Sequence, residues 1–143
     1  MNKLLSFFSI ALLILLSAAS RCSREVPFDG SALQNSSWQL SHQDGYPVQE
    51  EDYFRGLPTL NLTSDSSYSG STGCNQMNGS YQLEADRISI SMAAMTKMGC
   101  PGSGEADFTT RLFGESRLEL SGDTLRFLKE GGEEKLRFWR MAE

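Results

Sequence analysis

The chain has 143 residues, 39% of them hydrophobic and 22% charged, and carries a net charge of −5. That is enough chain for one globular domain, with an ordinary balance of core and surface. The acidity, uninterrupted by any Lys/Arg cluster, excludes a nucleic-acid footprint.

Met1-Asn2-Lys3 forms a short positive start, and Leu4 to Leu16 is apolar apart from Ser6 and Ser9. This run is too short for a membrane span. Small residues follow at Ser17-Ala18-Ala19-Ser20, so residues 1–21 read as a secretory signal peptide. Lys3 and Arg21 fall within it, which leaves the remaining chain more acidic still. Cys22 stands where a bacterial lipoprotein carries its lipidated cysteine. Arg21 departs from the small residue that such a site takes, and cleavage after Ala19 fits the ordinary small-x-small rule. Cysteine parity favours lipidation: if Cys74 and Cys100 pair, Cys22 is the odd thiol. A thioether to diacylglycerol removes an exposed thiol that would otherwise be reactive. The expectation is an exported bacterial envelope protein, lipid-anchored through Cys22, or periplasmic and soluble if Cys22 is unmodified. Residues 22–32, with Pro27 and Gly30 and no periodicity, read as a tether, and the domain as residues 33–143.

From Leu33 the pattern is one of strands. Trp38 and Leu40 alternate with Gln39 and Ser41, and a loop from Gln43 to Leu57 carries the acidic run Glu50-Glu51-Asp52, a solvated face. Leu60 and Leu62 mark a second strand, closed by a polar turn at Thr63 to Ser66. Tyr68, Gly70 and Thr72 share one face of a third. Tyr81 and Leu83 belong to a fourth; Ile88, Ile90 and Met92 give a fifth a period of two. After Pro101 the period lengthens. Ser103 as N-cap, Glu105 and Asp107 in the first turn and Gly114 as the C′ residue frame a helix of about three turns. Three final strands carry Leu118 and Leu120, Leu125 and Phe127, then Leu136 and Phe138, joined by short turns. About eight strands and one helix predict an α+β, mainly β chain whose antiparallel meander curls into a barrel, hiding its edges.

Two breaks between strands each hold one cysteine in turn-forming sequence: Gly70 to Tyr81, and Met95 to Pro101. Within them stand Gly73-Cys74-Asn75, Gly79-Ser80-Tyr81 and Thr96-Lys97-Met98-Gly99-Cys100. These residues resemble the META domain (HslJ-like) family. Its pattern is a strand ending in Gly-Cys-Asn, a Gly-Ser-Tyr return strand and a Thr-x-Met-x-Cys segment. The likeness runs through residues 33–140 in the family's order. It implies a conical or cracked barrel with the helix packed against it, a shape similar to the pilotin lipoproteins of type III secretion. It also implies a non-enzymatic envelope module associated with heat shock and drug tolerance.

Export makes Cys74 and Cys100 candidates for a disulfide, which would stabilise by roughly 3.5 kcal/mol in the chain-entropy model. The competing reading is a pair of buried thiols. They lack a second pair for a metal, His42 is the only histidine, and no cofactor is expected. His42 reads as an exposed strand-end residue without an activated nucleophile. Carboxylates are many, but none lies in a stretch that reads as buried, which raising a pKa would require. Two function classes remain. One is a non-enzymatic module binding an envelope protein or an apolar ligand; the other is a hydrolase using a surface carboxylate pair. For the first, an apolar slot is expected between helix and sheet, lined by Met92, Met95, Met98, Phe108, Leu112 and Phe113. The alternative is that these side chains simply fill the core.

Overall fold

Alternation of apolar and polar residues builds the wall of the molecule. In the computed structural model, which describes residues 28–142, nine strands and one α-helix follow in order. They are β1 (Ser36–Gln43), β2 (Tyr46–Pro47), β3 (Thr59–Leu62), β4 (Ser67–Ser71), β5 (Gln76–Glu84), β6 (Arg87–Met95), α1 (Gly104–Leu112), β7 (Gly114–Ser121), β8 (Thr124–Leu128) and β9 (Glu134–Arg140). The expected signal peptide, Cys22 and the first half of the tether lie outside the described residues. Within the tether's second half, Gly30–Leu33 forms a 3-10 turn capped by the Asp29 carboxylate, and Leu33 is buried in the core.

The strands are antiparallel neighbours in the order β1-β3-β4-β5-β6-β7-β8-β9, and β9 pairs back onto β1. The result is a closed eight-stranded barrel, which leaves no edge strand around its girth. β2 is the extra strand. It pairs with the end of β1 through His42↔Pro47 and Gln43↔Tyr46. The sequence reading gave Gln43 to Leu57 as loop alone, yet Asp44-Gly45 is a hairpin signal: both residues have positive φ, at 47° and 83°.

Inward residues of the eight barrel strands meet in one core. Trp38, Leu40, Leu60, Leu62, Tyr68, Met77, Ile88, Ile90, Leu118, Leu125, Phe127, Leu136 and Phe138 are all buried. Phe138 stands at its centre, 5.4 Å from Phe127 and 6.3 Å edge-on from Phe108 of α1. Helix α1 packs chiefly on β9 and buries Phe108 and Leu112 on that face. Its end is as read: Gly114 adopts φ 87° at the C′ position. Its start differs, because the Ser103 side chain makes no capping bond and only its carbonyl receives the Asp107 N–H, at 2.9 Å.

Met92 corrects the expected alternation of β6. Ile88 and Ile90 are buried, but Met92 is 48% exposed. The pairing with β7 stops at Ile90↔Gly114, and the register with β5 shifts at Asn78/Gly79. The bulge shifts the alternation at this point, so Met92 faces outward while Met95, beyond it, packs against the core again.

Phe138→Ala should lower stability by about 3–5 kcal/mol, since it deletes the shared contact of sheet and helix. Urea unfolding of the variant would measure this, and a loss below about 1 kcal/mol would place the core's centre elsewhere.

Candidate functional site

The residues that stand out in the sequence are brought together by the fold, and they are committed to one another. Asn75 is buried between β4 and β5. Its side-chain Oδ1 accepts the Met98 N–H at 2.7 Å and the Thr96 hydroxyl at 2.8 Å. Its Nδ2 donates to the Met98 carbonyl at 3.2 Å and to the Glu105 carboxylate at 2.9 and 3.1 Å. The carboxamide thus serves Met98 as a neighbouring strand would, pairing both its backbone groups. Thr72, also buried, donates its hydroxyl to Glu105 and accepts the Asn75 N–H at 2.8 Å. The disulfide Cys74–Cys100 closes the same junction, with Cα atoms 6.0 Å apart.

Glycine completes it. Gly73 has φ 84°, and a Cβ there would lie 2.4 Å from the Tyr53 ring. A Cβ on Gly104 would lie 2.4 Å from the Asp52 carbonyl and 3.0 Å from the same ring. Tyr53 is thereby wedged between the Gly73 turn and the start of α1. Burial pushes its phenol up to about 12, and the hydroxyl donates to Gln43 at 3.2 Å.

The six residues expected to line an apolar slot are scattered. Phe108 and Leu112 are fully buried in the core, while Phe113 and Met95 are partly buried against it. Met92 and Met98 are exposed. None of the six lines the outer-wall cleft described below.

His42 is half-buried on β1 rather than open at a strand end, with Nδ1 3.1 Å from the Ser41 hydroxyl. Desolvation, then the Arg137 charge, lowers its pKa, which favours neutral imidazole. Across the outer wall His42, Arg137, Arg126 and Glu119 are successive cross-strand partners. Glu134 joins them and meets Arg137 at 2.9 Å and Arg126 at 3.3 Å. Contrary to the sequence reading, Glu134 is a largely buried carboxylate, only 12% exposed. Its two guanidinium contacts commit it to an ion-pair network on the outer wall. No group of three or more His, Cys, Asp or Glu among the described residues could hold a metal ion.

A cleft of about 560 Å³ lies on the outer wall of the barrel. Its floor is one row of cross-strand partners, Gln39↔Thr59↔Ser71↔Gln76, on β1, β3, β4 and β5. Its roof is the β2–β3 loop, which contributes Glu50, Arg55, Gly56 and Leu57. The Thr59 hydroxyl accepts the Ser71 N–H at 3.2 Å, and the Ser71 hydroxyl accepts the Gly73 N–H at 3.1 Å. Among the described residues, the side chains of Gln39, Gln76, Arg55 and Glu50 have no hydrogen-bond or ion-pair partner. The sequence reading missed this site. Its residues are ordinary surface types, spread over five elements, and only strand register unites them.

Comparison with known proteins then places the fold. The META domain model matches residues 31–143. The chain belongs to the META domain family. Its architecture is similar to a protein solved by NMR, at 20% identity and TM-score 0.61, covering 78% of this chain and 94% of that one. It is also similar to an NMR structure from Burkholderia xenovorans, at 24% identity and TM-score 0.59, covering 87% and 96%. At such identities the likeness is one of fold alone. No curated protein matches the sequence. For this META domain, the signature residues Gly73, Cys74, Asn75, Thr96, Met98 and Cys100 form a structural junction, and the uncommitted polar groups lie beside it.

Asn75→Asp should destabilise the domain at neutral pH more than Asn75→Ala does. It replaces a donor to Glu105 by a second carboxylate. The like-charge pair raises a carboxyl pKa in the folded state, so the deficit should shrink as pH falls through about 5 to 4. Denaturation of both variants at pH 7 and pH 4 checks this, and a pH-independent difference would refute it.

Proposed function

We propose that this META domain is a non-enzymatic binding module of the bacterial cell envelope, and that its ligand or partner is captured in the outer-wall cleft. One observation carries the reading. The signature residues spend their hydrogen bonds on each other, whereas the cleft gathers two amides, a guanidinium and a carboxylate that remain uncommitted. Convergent polar groups in a concavity, open to solvent and without protein partners, are what recognition requires. The closed barrel and the disulfide supply a rigid scaffold, which limits the ordering cost of binding.

The hydrolase reading draws less support. Two-carboxylate chemistry needs a facing pair, and among the described residues Glu50 is the single carboxylate lining this cleft. A second binding reading, an apolar ligand or partner segment at Met92, Met95 and Met98, draws on the exposure of Met92 and Met98.

Localisation rests on the leader. We place the protein outside the inner membrane, held by lipidation of Cys22. Cys22→Ala should then move it from the detergent phase into the soluble fraction. A wild-type protein already soluble, with unmodified Cys22, would show that Arg21 blocks processing.

For the cleft, Gln76→Trp should fill the floor without touching the core. Native mass spectrometry of full-length protein extracted from its own cells should find a bound species on the wild type. It should be absent from a folded Gln76→Trp variant. Retention by both proteins, or by neither, would take the function out of the cleft.

A further inference from the structure

The register that builds the cleft floor continues beyond it. Gln39 is paired on its other side with Trp139 of β9, which is 51% exposed. Cross-strand partners lie on the same face of a sheet, so the outer wall carries one unbroken row: Trp139, Gln39, Thr59, Ser71, Gln76. Strands stand 4.7–4.9 Å apart, so the row is about 19 Å long and runs perpendicular to the strands.

Resting on the cleft as the binding site, we propose that its ligand is a short uncharged oligosaccharide, laid along this row with one sugar ring on Trp139. The composition of the row argues for it. Each carboxamide offers two donors and an acceptor, and each hydroxyl can do both, which matches a ligand whose own hydroxyls donate and accept. Arg55 and Glu50 on the roof carry opposite charges, and each can hold two neighbouring hydroxyls at once. An anionic ligand would meet Glu50 on a chain already at −5, and a cationic one would meet Arg55. Within the cleft itself, Leu57 is the one large apolar side chain among the described residues, too little surface for an apolar ligand. An extended peptide docks best by adding to a sheet edge. Here β1, β3 and β4 are each paired on both sides along the row, and the Gln76 backbone of β5 is bonded to Thr96 on its far side, so no ladder is open to it. What remains is recognition by side chains across a wall, with the half-exposed indole at one end as the flat apolar surface against which a sugar's C–H face packs.

The test is NMR titration of the folded domain with uncharged hexasaccharides: cellohexaose, maltohexaose and the N-acetylglucosamine hexamer, each with its disaccharide. A neutral hexapeptide serves as the contrasting probe. At least one hexasaccharide should saturably shift the Trp139 indole and the Gln39 and Gln76 side-chain amides. Trp139→Ala should weaken it about tenfold or more. Gln76→Ala, at the far end, should weaken the hexamer while leaving a disaccharide bound near Trp139 unchanged. Met92→Ala, away from the row, should change neither. Failure of every sugar to bind would overturn the proposal, as would binding indifferent to both Trp139→Ala and Gln76→Ala. Shifts in the cleft from the hexapeptide alone would overturn the sugar class and leave the cleft as a binding site. Sugar shifts confined to another face would overturn both.

Discussion

The structure depends on one buried carboxamide. Asn75 pairs both backbone groups of Met98 and holds the carboxylate of Glu105, so a single side chain ties the β4–β5 turn to the β6–α1 connection and to the helix. A barrel closed by hydrogen bonds around its girth has no comparable ladder across its ends. There the chain must leave β6, cross the opening and enter a helix, and its backbone groups need partners on the way. Asn75 supplies them, and Thr72 and Thr96 satisfy what it leaves. The disulfide works on the same junction by a different route. It narrows the unfolded ensemble, whereas the amide network is worth something only in the folded state. The two are complementary, which explains why a cysteine and an asparagine stand side by side.

That junction also fixes the cleft. Gly73 and Gly104 leave room for the Tyr53 ring, and the Arg55 N–H donates to the Gly73 carbonyl at 2.8 Å. The loop carrying Glu50, Arg55, Gly56 and Leu57 is therefore anchored at its middle by the signature turn. Arg55 sits two residues past the wedge, so its position over the floor is inherited from glycine and tyrosine packing rather than from any bond of its own. In the β1–β2 turn that precedes this loop, the Asp44 carboxylate accepts from Arg111 of α1 at 2.7 Å. Arg111 holds that carboxyl below its ordinary range, so this exposed tie is present above the usual carboxylate pKa and fades as pH falls through the lowered one.

How much of this was legible in the sequence follows from what each feature needs. The eight barrel strands were readable because one wet face and one dry face impose a period of two, and Phe108 with Leu112 announced the helix by spacing four. The motif residues were visible because turns demand particular residues. Their partners were not. Nothing local says that Glu105 reaches back thirty positions to Asn75, since its place in the first helical turn already accounts for it. Asp44-Gly45 was a legible hairpin signal, passed over because the strand after it is two residues long. Met92 broke its pattern because the register with β5, which is non-local, decides which side chains face inward. The cleft was illegible for the same reason: Gln39, Thr59, Ser71 and Gln76 become neighbours only through three successive pairings.

A closed, filled barrel constrains where such a protein can recognise anything. Its interior is occupied by Trp38, Phe108, Phe127 and Phe138, all fully buried, so a ligand admitted there would have to displace packed rings at a cost of several kcal/mol. Around its girth every barrel strand has a neighbour on each side, and the open stretches of ladder are short, as in β6 beyond Ile90. Recognition is left to outward side chains and to whatever loop is held over them. On such a wall the strands set a fixed spacing between neighbouring side chains, and a row perpendicular to them is the longest rigid array that the fold provides. Rigidity of that kind favours ligands with regularly spaced polar groups over flexible ones, because little further order is needed on binding. The polar row beneath the Arg55 loop is therefore a direct consequence of barrel closure: closing the sheet removes the edge and the cavity, and moves specificity onto register.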